Sequence, residues 1–171
     1  MSANIVLTGL MGAGKSTVGK MLSKLLKNYT FVDVDDAIVD LEEMSIPDIF
    51  AQKGEAYFRE LENKVISELS EEENLIIALG GGAFEDETNR ENLMESGEVF
   101  YLKSSVERLL SRIKDDNSRP LLQCDNLRGK LEELLEKREQ NYLKADYVIE
   151  TDSLSISEIA GKIISILEDA E

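Results

Sequence analysis

A lysine, a serine and three glycines fall within nine residues, Gly9-Leu10-Met11-Gly12-Ala13-Gly14-Lys15-Ser16-Thr17. They fit the pattern G-x-x-x-x-G-K-[ST] at Gly9, Gly14, Lys15 and Ser16. Glycines let successive backbone N–H groups turn toward one anion, and the N-terminus of a following helix adds partial positive charge. In such a cradle Lys15 reaches the β- and γ-phosphates, and the Ser16 hydroxyl sits on Mg²⁺. An ordinary glycine-rich turn is the plain alternative. Context argues against it, because Ile5-Val6-Leu7-Thr8 ahead of the loop is apolar and β-rich, while Val18, Met21, Leu22, Leu25 and Leu26 behind it recur at helical spacing. Strand, glycine loop and helix together predict a nucleoside triphosphate site.

Further charged groups follow along the chain. Asp33 and Asp35 close the run Tyr29-Thr30-Phe31-Val32-Asp33-Val34-Asp35, which reads as a second strand, and a period of two puts both carboxylates on one side. In open α/β sheets ligands bind beyond the carboxyl ends of the strands, where the phosphate loop also lies. A typical triphosphate-binding protein of this kind has a Mg²⁺-associated aspartate at the end of a central strand. The corresponding run Leu75–Leu79 ends in Gly80-Gly81-Gly82 instead, so Asp33 is the substitute, acting through a metal-bound water. Three glycines there allow another molecule to approach the backbone closely. Arg59 and Glu62 are three apart and can pair on one helix face, either as a surface pair or as part of a site. Arg138 lies on the same stripe as Leu131, Leu134, Leu135 and Tyr142, and a buried guanidinium needs an anion, from the protein or from a substrate. Arg119 sits in a polar segment of about 13 residues, 114–126, long enough to be a functional lid or disordered. From such a lid it is placed to swing onto the phosphates as charge shifts.

The elements that must position these groups can be read from periodicity. Strands are expected at 5–8, 29–35, 75–79, 99–102 and 147–150. Helices are expected at 14–27, 36–43, after Ser45, at 55–69, 88–96, 104–113, 127–145 and from 155. Ser45, Ser104 with Glu107, and Ser155 with Glu158 read as helix caps. Strands alternating with helices predict an α/β fold, a parallel sheet with helices on both faces in one domain spanning 1–171. The chain has 171 residues, 42% of them hydrophobic, and is large enough for a real core. Its apolar runs reach about five residues, far short of a membrane span. The N-terminus enters the first strand directly, so no leader is expected. A single Cys124 excludes an internal disulfide, and a cytoplasmic protein is expected.

Thirty-five acidic residues against 19 basic ones give a net charge of −16. That field repels nucleic acid and anionic membranes, so neither is an expected partner. No histidine is present, which removes His-based triads and zinc sites and leaves carboxylates as the candidate bases. A GTPase switch would need N-K-x-D and D-x-x-G motifs, and neither occurs. A nucleotide sensor would not need Asp35, Arg59 and Arg138 as an acceptor site. The residues favour a small-molecule kinase, in which Lys15, Mg²⁺ and Arg119 stabilise the transferring phosphoryl group. Asp35 then orients the acceptor hydroxyl and is the candidate to deprotonate it. Two arginines facing the acceptor imply that it carries a carboxylate or phosphate.

Over essentially its full length the chain resembles the shikimate kinases. The matching features are GLMGAGKST, Asp33-Val34-Asp35, Gly54-Glu55 followed by Phe58-Arg59 and Glu62, Gly80-Gly81-Gly82, Arg119-Pro120-Leu121-Leu122, and Arg138 with Tyr142 and Ala145-Asp146. One departure is Arg138-Glu139-Gln140-Asn141-Tyr142, where many members have a proline between the arginine and the tyrosine. The resemblance implies a P-loop NTPase-type three-layer α/β/α fold, nucleoside monophosphate kinase-like, with a five-stranded parallel sheet of order 2-3-1-4-5. It implies a substrate-binding region at about 33–62, a lid at about 114–126, and ATP-dependent phosphorylation of the shikimate 3-hydroxyl, with a monomer expected. Gly12, Ala13, Gly14, Lys15, Ser16, Thr17, Arg112 and Arg119 would bind ATP, with Arg112 against the adenine. Asp35 would meet the ring hydroxyls, Arg59 and Arg138 the carboxylate, Gly81 the substrate through its backbone, and Phe50 and Phe58 would line the ring pocket. The alternative is another small-molecule P-loop kinase, acting on gluconate or a nucleoside monophosphate.

Overall fold

The computed structural model describes residues 3–113 and 125–170. The chain runs β1 (Asn4–Thr8), α1 (Lys15–Leu25), β2 (Thr30–Asp33), α2 (Val34–Glu42), α3 (Ile46–Lys53), α4 (Glu55–Ser70) and β3 (Leu75–Ala78). After β3 come a short 3₁₀ turn (Ala83–Glu85), α5 (Glu87–Ser96), β4 (Gly97–Lys103), α6 (Val106–Ile113), α7 (Leu127–Tyr142), β5 (Tyr147–Glu150) and α8 (Ile156–Ala170). All strand pairings are parallel, in the order β2-β3-β1-β4-β5. This is the expected three-layer architecture and strand order.

Topology explains where a ligand can sit. The β1-to-β2 crossover travels in the opposite direction along the sheet from all later ones. With right-handed crossovers, α1 therefore lies on one face and α4 and α5 on the other. Packing agrees, since α1 lies against α8 and α4 against α5. The loops after the neighbouring strands β1 and β3 consequently part to opposite faces, leaving a crevice at their carboxyl ends. Strands β1 and β3 are wholly buried, which accounts for their continuous apolar runs.

Two expectations are corrected. Asp35 does not lie on β2. The Asp33 carboxylate accepts hydrogen bonds from the backbone N–H groups of Asp35 (2.9 Å) and Asp36 (3.3 Å), capping a helix that begins at Val34. A cap satisfying two otherwise unpaired donors outweighs the β propensity of the preceding run. The period-two argument for the two carboxylates therefore fails, although both still face one crevice. The cap of α6 is Ser105 rather than Ser104. Ser105 Oγ accepts from Arg108 N–H, whereas the Ser104 hydroxyl is buried in a 2.6 Å hydrogen bond with that of Thr151. Glu107 meets Arg128 at 2.8 Å instead of closing a box. The Ser45 cap is as expected, and Ser155 and Glu158 form a reciprocal capping box.

Asn4, buried at the start of β1, joins that strand to the beginning of β3. Its side chain accepts from Leu75 N–H (2.9 Å) and donates to the Glu72 carbonyl (2.8 Å). An Asn4→Ala substitution orphans both groups and is expected to cost about 2 kcal/mol in urea unfolding. A loss below about 0.5 kcal/mol would show that water takes over both partners.

Candidate active site

The phosphate cradle has the geometry that its sequence demands. Gly12 and Gly14 take φ of +81° and +95°, values that side-chain-bearing residues rarely adopt, and α1 starts immediately afterwards at Lys15. A cavity of about 450 Å³ opens here, lined by Gly12, Gly14, Lys15, Ser16, Thr17 and Arg112, with Ile113 and Ile156 at its apolar side. Lys15 is buried and its ammonium donates to the carbonyls of Gly9 (2.5 Å) and Leu10 (3.1 Å). Arg112 reaches the loop from α6, donating to the carbonyls of Gly12 (3.2 Å) and Ala13 (2.9 Å). Burial, and secondarily the charge of Arg108, lowers the Arg112 pKa from its usual value. A cation in that condition gains from a nearby phosphate.

Beside the cradle the Ser16 hydroxyl donates to the Asp33 carboxylate. Both line a second cavity of about 450 Å³, together with Lys20, Asp35, Asp36 and Ser45. No group of three or more metal-ligating side chains occurs among the described residues. A hydroxyl and one carboxylate suit Mg²⁺, which keeps several waters and relies on nucleotide phosphates for its remaining ligands.

The turn after β3 gathers the remaining charges. An added Cβ on Gly80 would lie 3.0 Å from both Asp35 Oδ1 and Glu62 Oε2. On Gly81 it would lie 3.1 Å from Arg138 Nη1 and 3.5 Å from the backbone nitrogen of Met11 in the cradle. On Gly82 it would fall within 2.9 Å of the Arg59 guanidinium. A side chain at any of the three would crowd these groups, and the approach of Met11 to Gly81 sets the glycine turn and the phosphate loop back to back. Arg59 Nη1 donates to Glu62 Oε1 at 2.8 Å, and Glu55 lies 3.4 Å from Nη2. Burial alone would lower the Arg59 pKa, but Glu62 and Glu55 outweigh it and hold it above the usual value. Arg138 is buried, its Nε and Nη1 have no hydrogen-bond partner among the described residues, and Glu85 lies 3.4 Å from Nε. The Phe50 and Phe58 rings pack at 4.9 Å, with Arg59 5.2 Å above Phe58.

The spacing allowed Arg59 and Glu62 to pair on the surface or as part of a site, and the burial of Glu62 decides for the site. Two further contributors were not given these roles by sequence. The Tyr142 hydroxyl donates to the Gly81 carbonyl at 2.5 Å, and its position one turn beyond Arg138 was the available signal. Glu85 had none. Helix α7 runs unbroken through Arg138 to Tyr142, so the missing proline leaves a regular helix that aims both residues at Gly81. Arg119, with 114–124 of the expected lid, lies outside the described residues; Asn126 caps α7 through Gly129 N–H at 3.0 Å.

A phosphate cradle on this strand order, with a cationic pocket one strand away, is the arrangement of small-molecule kinases of the P-loop, nucleoside monophosphate kinase-like class. The family model described as shikimate kinase matches residues 11–168. Shikimate kinase from Legionella pneumophila (strain Paris) is 44% identical, covering 96% of this chain and 94% of its own. That from Persephonella marina is 42% identical, covering 94% and 98%. The solved structure of shikimate kinase from Acinetobacter baumannii in complex with shikimate is 41% identical, with a TM-score of 0.96 over 100% of this chain and 96% of that one. The chain belongs to the shikimate kinase family.

Burial pushes the Glu62 carboxyl above its usual 4.5; Arg59 pulls it back and the Asp35 charge adds to the rise. Relative to the unfolded chain, the fold thus makes the Glu62 carboxyl harder to ionise. The stability associated with Glu62 is full below about pH 4.5 and is lost as pH rises through the folded pKa. Glu62→Gln lacks this titration, so its melting temperature relative to wild type is expected to climb as pH rises from about 4.5. Melts at matched ionic strength check this, and a flat difference would assign the carboxyl an ordinary pKa.

Proposed function

We propose that this chain transfers the γ-phosphoryl group of ATP to the 3-hydroxyl of shikimate, giving ADP and shikimate 3-phosphate on the route to chorismate and aromatic amino acids. The observation that carries the reading is the convergence of Arg59 and Arg138 on Gly81 and Gly82, against the back of the phosphate cradle. That pocket suits a small acceptor bearing a carboxylate, and the Acinetobacter relative solved with shikimate supports the same acceptor. The family match favours shikimate over gluconate or a nucleoside monophosphate.

Phosphoryl transfer asks the protein mainly for alignment and charge neutralisation. Backbone N–H groups from Gly12, Ala13, Gly14, Lys15, Ser16 and Thr17 hold the ATP phosphates. Lys15 exchanges its two loop carbonyls for the β- and γ-phosphates. Arg112 lies against the adenine, and Arg119 acts from the lid formed by 114–126. Mg²⁺ would be held by Ser16 directly and by Asp33 through water, and when bound it neutralises charge on the β- and γ-phosphates. Arg59 and Arg138 grip the acceptor carboxylate, the Gly81 backbone lies along the substrate, and Phe50 and Phe58 flank the ring. Asp35, beside Gly80, orients the acceptor hydroxyl and takes its proton as the new P–O bond forms. The whole of 1–171 acts as one domain, with 33–62 contributing the acceptor region, in a cytoplasmic monomer. No helix among the described residues is long and apolar enough to cross a membrane.

ADP release measured by a coupled assay is expected with shikimate and not with gluconate or nucleoside monophosphates. Lys15→Met should lower kcat by about 100-fold or more while the circular dichroism spectrum stays unchanged, and full turnover in that variant would remove the cradle from the mechanism. Arg138→Ala should raise KM for shikimate roughly 30-fold or more and leave KM for ATP within about twofold, whereas equal effects on both would make Arg138 a structural residue.

A further inference from the structure

The segment following the glycine turn is held by buried side chains. The Asn89 side chain donates to the Ala83 carbonyl at 3.1 Å, and Arg90 Nη1 donates to the carbonyls of Phe84 (2.8 Å) and Glu85 (2.7 Å). Asn89 and Arg90 are themselves buried, so the backbone of the short 3₁₀ turn has little freedom. From this fixed base the Glu85 carboxylate stands 3.4 Å from Arg138 Nε, without forming a hydrogen bond there. The two partners differ in exposure, since the Arg138 side chain is 4% exposed and that of Glu85 is 26%.

We infer that Glu85 is a resident counter-anion of Arg138 that competes with the acceptor's carboxylate and thereby sets acceptor affinity. This rests on the reading of shikimate as acceptor. A buried guanidinium without a nearby anion is costly, and Glu85 relieves that cost before the acceptor arrives. The same negative charge then repels an incoming carboxylate and diminishes the pull of the cation it must reach. Glu62 differs from Glu85 in kind. It is buried and hydrogen-bonded to Arg59 at 2.8 Å, a fixed pair that holds its arginine in place. Glu85 is partly exposed, makes no hydrogen bond to its arginine and leaves Nε and Nη1 without a hydrogen-bond partner, so it acts through charge.

The test compares wild type with Glu85→Gln, which keeps the side-chain shape and removes the charge. KM for shikimate is expected to fall by roughly threefold at low salt, with KM for ATP unmoved, and the difference should shrink as ionic strength rises. The shikimate-induced rise in melting temperature should be larger in the variant, a binding readout that does not depend on turnover. Glu85→Asp, which retains the charge, should stay nearer to wild type than Glu85→Gln. With shikimate methyl ester as a carboxylate-free probe, Glu85→Gln should leave the induced shift unchanged. A shikimate KM that is unaltered or raised in Glu85→Gln overturns the inference, as does an equal gain for the ester. Absence of wild-type turnover with shikimate would overturn the acceptor reading as well, which separates the two failures.

Discussion

A buried guanidinium must meet an anion, and that requirement shapes the acceptor half of this molecule. Arg59 and Arg138 stand on different helices yet reach one three-glycine turn, and each has been given a protein carboxylate, Glu62 and Glu85. Asp35 and Glu62 press on the same turn from the side of Gly80. A side chain there would crowd these groups, most severely at Gly82 against Arg59. Charges of both signs are therefore held at contact distance in a chain whose overall charge is −16. Locally each cation is held beside a carboxylate of its own, which keeps both guanidinium groups positioned within that global field.

The sheet itself brings the phosphate loop and the glycine turn together. Because β1 and β3 are neighbours, the loops that end them are neighbours also, and Met11 of one approaches Gly81 of the other. Tyr142 ties the Gly81 carbonyl to α7 one turn beyond Arg138. The glycine turn is thus fixed from both sides, by the phosphate loop and by the helix carrying Arg138. Alignment of two reactants needs this rigidity more than it needs further chemical groups.

Much of this is legible in the sequence. The cradle, the buried strands β1 and β3, and the α7 stripe containing Arg138 follow from period and residue type, because each is dictated by local chemistry or by burial of a whole face. Asp35 was misplaced because strand propensity and a helix cap compete over the same residues, and the cap at Asp33 won. Ser104 and Ser105 are indistinguishable by spacing to within one residue. A tertiary partner, Thr151, decided which of them could cap α6. Glu85 lies in an acidic, aperiodic stretch and acquires meaning only when the fold carries α7 to it.

Lys15 is hydrogen-bonded to Gly9 and Leu10, so in the role proposed for it nucleotide capture is an exchange of partners and not the filling of a bare electrostatic well. Only the surplus of a charge-assisted contact over two neutral ones counts toward ground-state affinity. That surplus grows as negative charge builds on the group in flight, so the ammonium contributes more to speed than to tightness of capture. A loop that satisfies its own lysine keeps its shape between turnovers and withholds much of that lysine's attraction until the reaction is under way.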